Sequence, residues 1–71
     1  MQPAEIDILA CYRGVFIGIE VKAPGGRATA RQLDILSSIR NAGGRALIAF
    51  EPARIARLLY DIDEELDGKT I

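Results

Sequence analysis

The chain has 71 residues, 49% of them hydrophobic and 27% charged, with a formal net charge of −1. That describes one small globular domain rather than a disordered segment, although a chain of this size buries only about 60% of the surface that its unfolded form exposes. It contains one cysteine and no histidine, which excludes an internal disulfide, histidine general bases, His–Cys nucleophile pairs and any zinc site that needs imidazole.

No apolar run approaches the roughly 18 residues of a membrane span, and the N-terminus lacks a signal-peptide pattern. The expectation is a soluble, cytoplasmic protein, with which a single cysteine agrees. The charges are unevenly spread. Residues 1–60 carry a balance of +3, with seven arginines, and residues 61–71 a balance of −4. An arginine-rich body suits phosphate and is compatible with nucleic acid; a solvated mixed surface explains the same numbers.

In chain order, Ile6 to Arg13 and Val15 to Lys22 are rich in Ile, Val, Phe and Tyr and bounded by turn residues, so both read as strands. Arg13-Gly14 between them is short enough for a two-residue hairpin loop, with glycine supplying a positive φ. "APGGRA" is a loop, in which Gly25-Gly26 turns the chain and is too short to cradle a phosphate. Thr29 then makes a good helix N-cap and Gln32, three residues on, completes a capping-box pattern. Leu33, Ile35, Leu36, Ile39 and Ala42 give this helix an apolar face, and Gly43-Gly44 ends it. Arg45 to Phe50 is a third strand. Pro52 opens a second helix, along which Ile55, Leu58, Leu59, Ile62 and Leu66 recur at helical spacing. The predicted fold is α/β, a small mixed β-sheet with flanking helices in the order β-β-α-β-α, as one domain over residues 1–71.

The hairpin register brings charges together. If Arg13 and Gly14 form the loop, Tyr12 faces Val15, Asp7 lies across from Glu20, and Glu5 across from Lys22. Side chains two apart share a strand face, so Asp7, Glu20 and Lys22 point the same way. The opposite face, from Ile6 to Tyr12 and from Val15 to Val21 at alternate positions, is apolar and needs a cover. Two carboxylates directly opposed on neighbouring strands repel, and a divalent cation between them reverses that. Mg²⁺ is commonly held by one or two carboxylates with water and phosphate, and an adjacent ammonium stabilises charge on a phosphoryl group. The ordinary alternative is that Glu20 simply pairs with Lys22 or an arginine and that Asp7 is solvated.

The stretch "IDILACYRGVFIGIEVKAPGGRATARQLDILSSIRNAGGRALIAF" combines Asp, a one-hairpin spacer, Glu-x-Lys, a Pro-Gly-Gly turn and a helix with Gln near its start. It resembles the VRR-NUC branch of the PD-(D/E)xK nuclease superfamily, closely over Ile6 to Phe50 and more loosely over the last helix. The resemblance implies a restriction-endonuclease-like core and a metal-dependent endonuclease. Its catalytic roles fall on Asp7, Glu20, Lys22 and Gln32, with Mg²⁺ or Mn²⁺ on Asp7, Glu20 and the backbone carbonyl of Val21. Metal-activated water would attack phosphorus, in branched, flapped or Holliday-junction DNA.

Two departures stand out. The Pro that usually precedes the first acid is replaced by Ile6, with Pro3 nearby, and the helix that usually begins such domains is lacking. Either the core is truncated at its N-terminus or another chain covers that surface. A homodimer or other partner over the apolar hairpin face is therefore expected, as the resemblance also implies.

Other residues have plain explanations beside the functional ones. Gln32 serves the capping box, and Arg27 and Arg31, which flank the turn and could hold DNA phosphates, are also ordinary surface arginines. Cys11 reads as a small buried core residue, the acidic run after Asp61 as a solvated helix face, and Leu58, Leu59, Ile62 and Leu66 as core or dimer seam. The competing function is a non-catalytic DNA-binding or assembly module that retains the nuclease fold; a purely structural oligomer is a third.

Overall fold

The two apolar runs on either side of Arg13-Gly14 do fold back on one another. In the computed structural model, which describes residues 6–68, strand β1 (Ile8–Tyr12) pairs antiparallel with β2 (Val15–Val21). The register is the expected one, with Tyr12 opposite Val15 and Ile8 opposite Ile19. Both loop residues take positive φ, Arg13 at 51° and Gly14 at 85°, which matches the twist of the flanking strands. β2 leads through helix α1 (Ala30–Asn41) into β3 (Arg45–Ala49), which lies parallel to β2, and helix α2 (Pro52–Asp67) closes the chain. The sheet order is β1-β2-β3. The small mixed α/β fold in the order β-β-α-β-α is as expected from sequence.

The helix boundaries follow local chemistry. Thr29 caps α1 with its hydroxyl on the Gln32 N–H, and Gln32 returns the bond to the Thr29 N–H. At the other end Gly43 takes φ 97°, and the N–H groups of Gly43 and Gly44 bond back to the carbonyls of Arg40 and Ile39. Such a left-handed turn satisfies carbonyls that the helix leaves open. Pro52 occupies the first turn of α2, where a missing N–H costs nothing.

The helices take opposite faces of the sheet. Ile17, Ile19, Leu47 and Ala49 point to α2 and bury with Leu58 and Ile62, while Tyr12, Val15, Ile55 and Leu59 flank this core. The apolar hairpin face is therefore covered in large part by the chain's own last helix, which corrects the expectation that it needs a partner for that purpose. Ile8 and Val21 remain partly open on it. On the α1 side Leu36 is fully buried and Ile39 lies over Gly18. Here the outer part of the sheet is open: Leu9 of β1 and Phe16 of β2 are half exposed, Leu33 of α1 is likewise open, and Cys11 is exposed rather than in the core.

The acidic end of α2 is more than a solvated face. Arg13 donates to Asp63 and to both oxygens of Asp67, at 2.8–3.0 Å, and the Tyr12 hydroxyl donates to Asp63 at 3.0 Å. Arg45 pairs with Glu65, and Arg57 with Asp61. The hairpin tip is thus tied to the C-terminal helix.

Three outcomes are expected. Gly44→Ala would place a methyl 2.8 Å from the Phe16 carbonyl oxygen and 2.9 Å from Ile39 Cγ2, and chemical denaturation should read a loss of about 1–3 kcal/mol. Gly18→Ala should cost less, because the atom its methyl crowds is the movable end of the Ile39 side chain rather than backbone. The hydrogen bonds from Arg13 hold Asp67 below its ordinary value of 3.8. A carboxylate depressed by folding contributes stability above its unfolded value and loses it as pH falls through the folded one. The melting-temperature gap between wild type and Asp67→Asn should be open near neutrality, close on strong acidification, and shrink with salt.

Candidate functional site

Glu20 stands near the end of β2 on the face that α1 covers, and it is 3% exposed. A carboxylate so buried is costly unless hydrogen-bonded and paired, and two groups meet that need on one of its oxygens. Gln32 Nε2 donates to Glu20 Oε2 at 2.9 Å, and Lys22 Nζ stands 3.2 Å from the same atom. Glu20 Oε1 is buried with no hydrogen-bond partner. An ionised carboxylate oxygen has only lone pairs to offer, so Oε1 presents an acceptor and nothing else.

The local sequence explains the convergence. Glu20 and Lys22 are two apart along an extended chain and share its α1 side. The loop after Lys22 returns the chain so that α1 begins beside them, and the capping box turns Gln32 inward. Gln32 is itself buried. The ordinary explanation of Glu-x-Lys, a strand salt bridge, and the expected cluster of Glu20, Lys22 and Gln32 are the same arrangement.

Asp7 is placed differently from expectation. β1 starts at Ile8, Asp7 lies in a bend before it, and its carboxylate Oδ2 accepts the Val21 N–H at 2.9 Å. The Lys22 N–H goes to Ala49 on the β3 side, so the Val21 N–H faces β1, where continued pairing would have supplied a backbone carbonyl. An Asp side chain is a ready substitute for such an acceptor, which is why Asp is poorly suited to strand interiors and ends them. Asp7 is exposed, and it borders Glu20 through Val21 rather than from within a ladder pair. The predicted pairing of Glu5 with Lys22 lies outside the described residues, as does Pro3.

Arg27, in the loop, and Arg31, in the first turn of α1, are both exposed. Among the described residues no three of His, Cys, Asp and Glu converge as a ready-made metal site, so a cation here would have to rely on two carboxylates, main-chain oxygen and water. No helix among the described residues is long and apolar enough to cross a membrane.

Sequence reasoning missed the tie between Arg13 and the pair Asp63 and Asp67, although the opposite charges of hairpin and tail were its signal. It also gave Gln32 two separate explanations, a cap and a site residue, where one side chain does both.

The chain matches no family model, no curated protein and no solved structure.

Lys22→Met would leave the buried Glu20 carboxylate without its counter-ion, and the unfolding free energy should fall by about 1–3 kcal/mol. Adding Glu20→Gln in the same chain should recover much of that loss. The coupling measured by the double-mutant cycle checks the pair directly.

Proposed function

We propose that the chain is a Mg²⁺- or Mn²⁺-dependent deoxyribonuclease of PD-(D/E)xK type that hydrolyses DNA phosphodiester bonds, with branched, flapped or Holliday-junction DNA as the substrate class suggested by the VRR-NUC resemblance. The observation that carries the reading is Glu20 Oε1, a buried acceptor with no hydrogen-bond partner beside a lysine. Protein interiors rarely leave such an atom unpaired without a use, and a hard cation is the partner that a lone carboxylate oxygen suits best.

The residues present fit that ion. Asp7 and Glu20 supply carboxylate oxygen, and the Val21 carbonyl a neutral one. A strand residue sends its N–H and C=O to the same side, so the Val21 carbonyl is on the flank that Asp7 occupies. A Mg²⁺ or Mn²⁺ ion bound there would supply Lewis acidity toward the phosphoryl group and a more acidic water.

The chain's own residues do the rest. Lys22, about a fifth exposed, can reach the attacking water or the charge that grows on phosphorus, a role for a compact ammonium that arginine does not replace. Gln32 holds the Glu20 carboxylate in place. Arg27 and Arg31 flank the approach and suit the neighbouring phosphates. A homodimer or other partner chain belongs to the same reading.

Thermal unfolding with and without Mg²⁺ or Mn²⁺ tests it. At a hundred times the dissociation constant, bound ion should add about 2.7 kcal/mol, and Asp7→Asn and Glu20→Gln should each abolish the gain and the cleavage of branched DNA. Lys22→Met should keep ion binding and lose about 10²–10³-fold in kcat. A chain indifferent to both ions that still binds DNA at low salt is instead a non-catalytic DNA-binding module.

A further inference from the structure

Gln32 sits where two different constraints meet, and together they determine which way round its side-chain amide lies. On one side the backbone N–H of Thr29 donates to Gln32 Oε1 at 2.9 Å. On the other, Gln32 Nε2 donates to Glu20 Oε2 at 2.9 Å. An amide N–H can only donate and a carboxylate can only accept, so the reverse orientation would set donor against donor at Thr29 and acceptor against acceptor at Glu20. The helix cap therefore aims the amide.

We infer that Gln32 is a positioning residue, oriented by the Thr29 backbone N–H, that occupies Glu20 Oε2 together with Lys22 and so reserves Oε1 as the single Glu20 oxygen for a divalent cation. This rests on the metal-site reading above. Oε2 has an amide N–H at 2.9 Å and an ammonium at 3.2 Å, whereas Oε1 has neither and is buried. A carboxylate with one oxygen committed binds an ion through the other. Glu20 is thereby a one-oxygen ligand whose direction is set by the first turn of α1. Partners of this kind, which touch the ligand and not the ion, typically carry about 10- to 100-fold in metal affinity.

Thr29 has φ −73°, which proline shares, so the aiming bond is isolated by comparing Thr29→Pro, which loses N–H and hydroxyl, with Thr29→Ala, which loses the hydroxyl alone. Gln32→Met keeps the length of the side chain while removing its bonds to Thr29 and Glu20. With Mg²⁺ titrated into the whole chain and followed by calorimetry, Gln32→Met should lose about 10- to 100-fold in affinity. Thr29→Pro should lose much of the same, and Thr29→Ala far less, although all three weaken the cap. Gly44→Ala, destabilised at a distance from Glu20, separates lost stability from lost affinity.

Side-chain amide signals of ¹⁵N-labelled protein supply the second measurement. The Gln32 amide should keep its hydrogen-bonded shift when Mg²⁺ is added, while the Glu20 carboxyl carbon moves. Release of the Gln32 amide by Mg²⁺ would mean that the ion takes both oxygens, and would overturn the inference while leaving the metal site standing. Equal affinities for wild type and Gln32→Met would overturn it as well. If neither Glu20 nor Asp7 responds to Mg²⁺, the metal-site reading fails, and this inference with it.

Discussion

A carboxylate buried to 3% exposure is the constraint around which this small domain is arranged. Glu20 occupies a position on β2 where an apolar residue would pack against α1 without difficulty. Keeping an acid there obliges the neighbourhood to supply donors, and the chain supplies them from both directions: Lys22 two residues along the strand, and Gln32 from the first turn of the next helix. The loop from Lys22 to Thr29 has to end where Gln32 can reach inward, so the start of α1 is fixed by the acid as well as by the helix's own capping preferences. Only one of the two oxygens is satisfied in this way. Stability alone would favour satisfying both or having neither, and residues that break a local rule of this kind are commonly functional.

Much of the fold was legible in the sequence because its local signals agree. Arg13-Gly14 set the hairpin register, Thr29 and Gln32 the start of α1, Gly43 its end, and Pro52 the start of α2. Strand ends were less so. Asp7 was read as part of the first strand because the register was extrapolated through it, whereas its side chain takes the hydrogen bond that the strand would have made. The Glu20, Lys22 and Gln32 cluster was recoverable from spacing and capping chemistry, since each contact is either two residues along a strand or built into the helix start.

Contacts between distant segments were harder to foresee. The apolar hairpin face looked bare in sequence because nothing local indicates that Leu58 and Ile62 of α2 would lie over Ile17 and Ile19. Cys11 looked like core because its neighbours along the strand are apolar, yet β1 is an outer strand and α1 packs on β2 and β3, with Ile39 over Gly18. Periodicity reports which residues share a face, and says little about how far a helix of 12 residues extends over it.

The clasp of Tyr12 and Arg13 on Asp63 and Asp67 has a mechanical meaning. It fastens the β1–β2 hairpin at its tip, the end farthest from Glu20, while the opposite end of β1 is held by a carboxylate on the Val21 N–H rather than by continued strand pairing. The hairpin is thus clamped across to another element at its turn, and at its base only to itself. Fraying of the outer strand would begin at Asp7 and stop at the clasp, leaving the pairing of β2 with β3 in place.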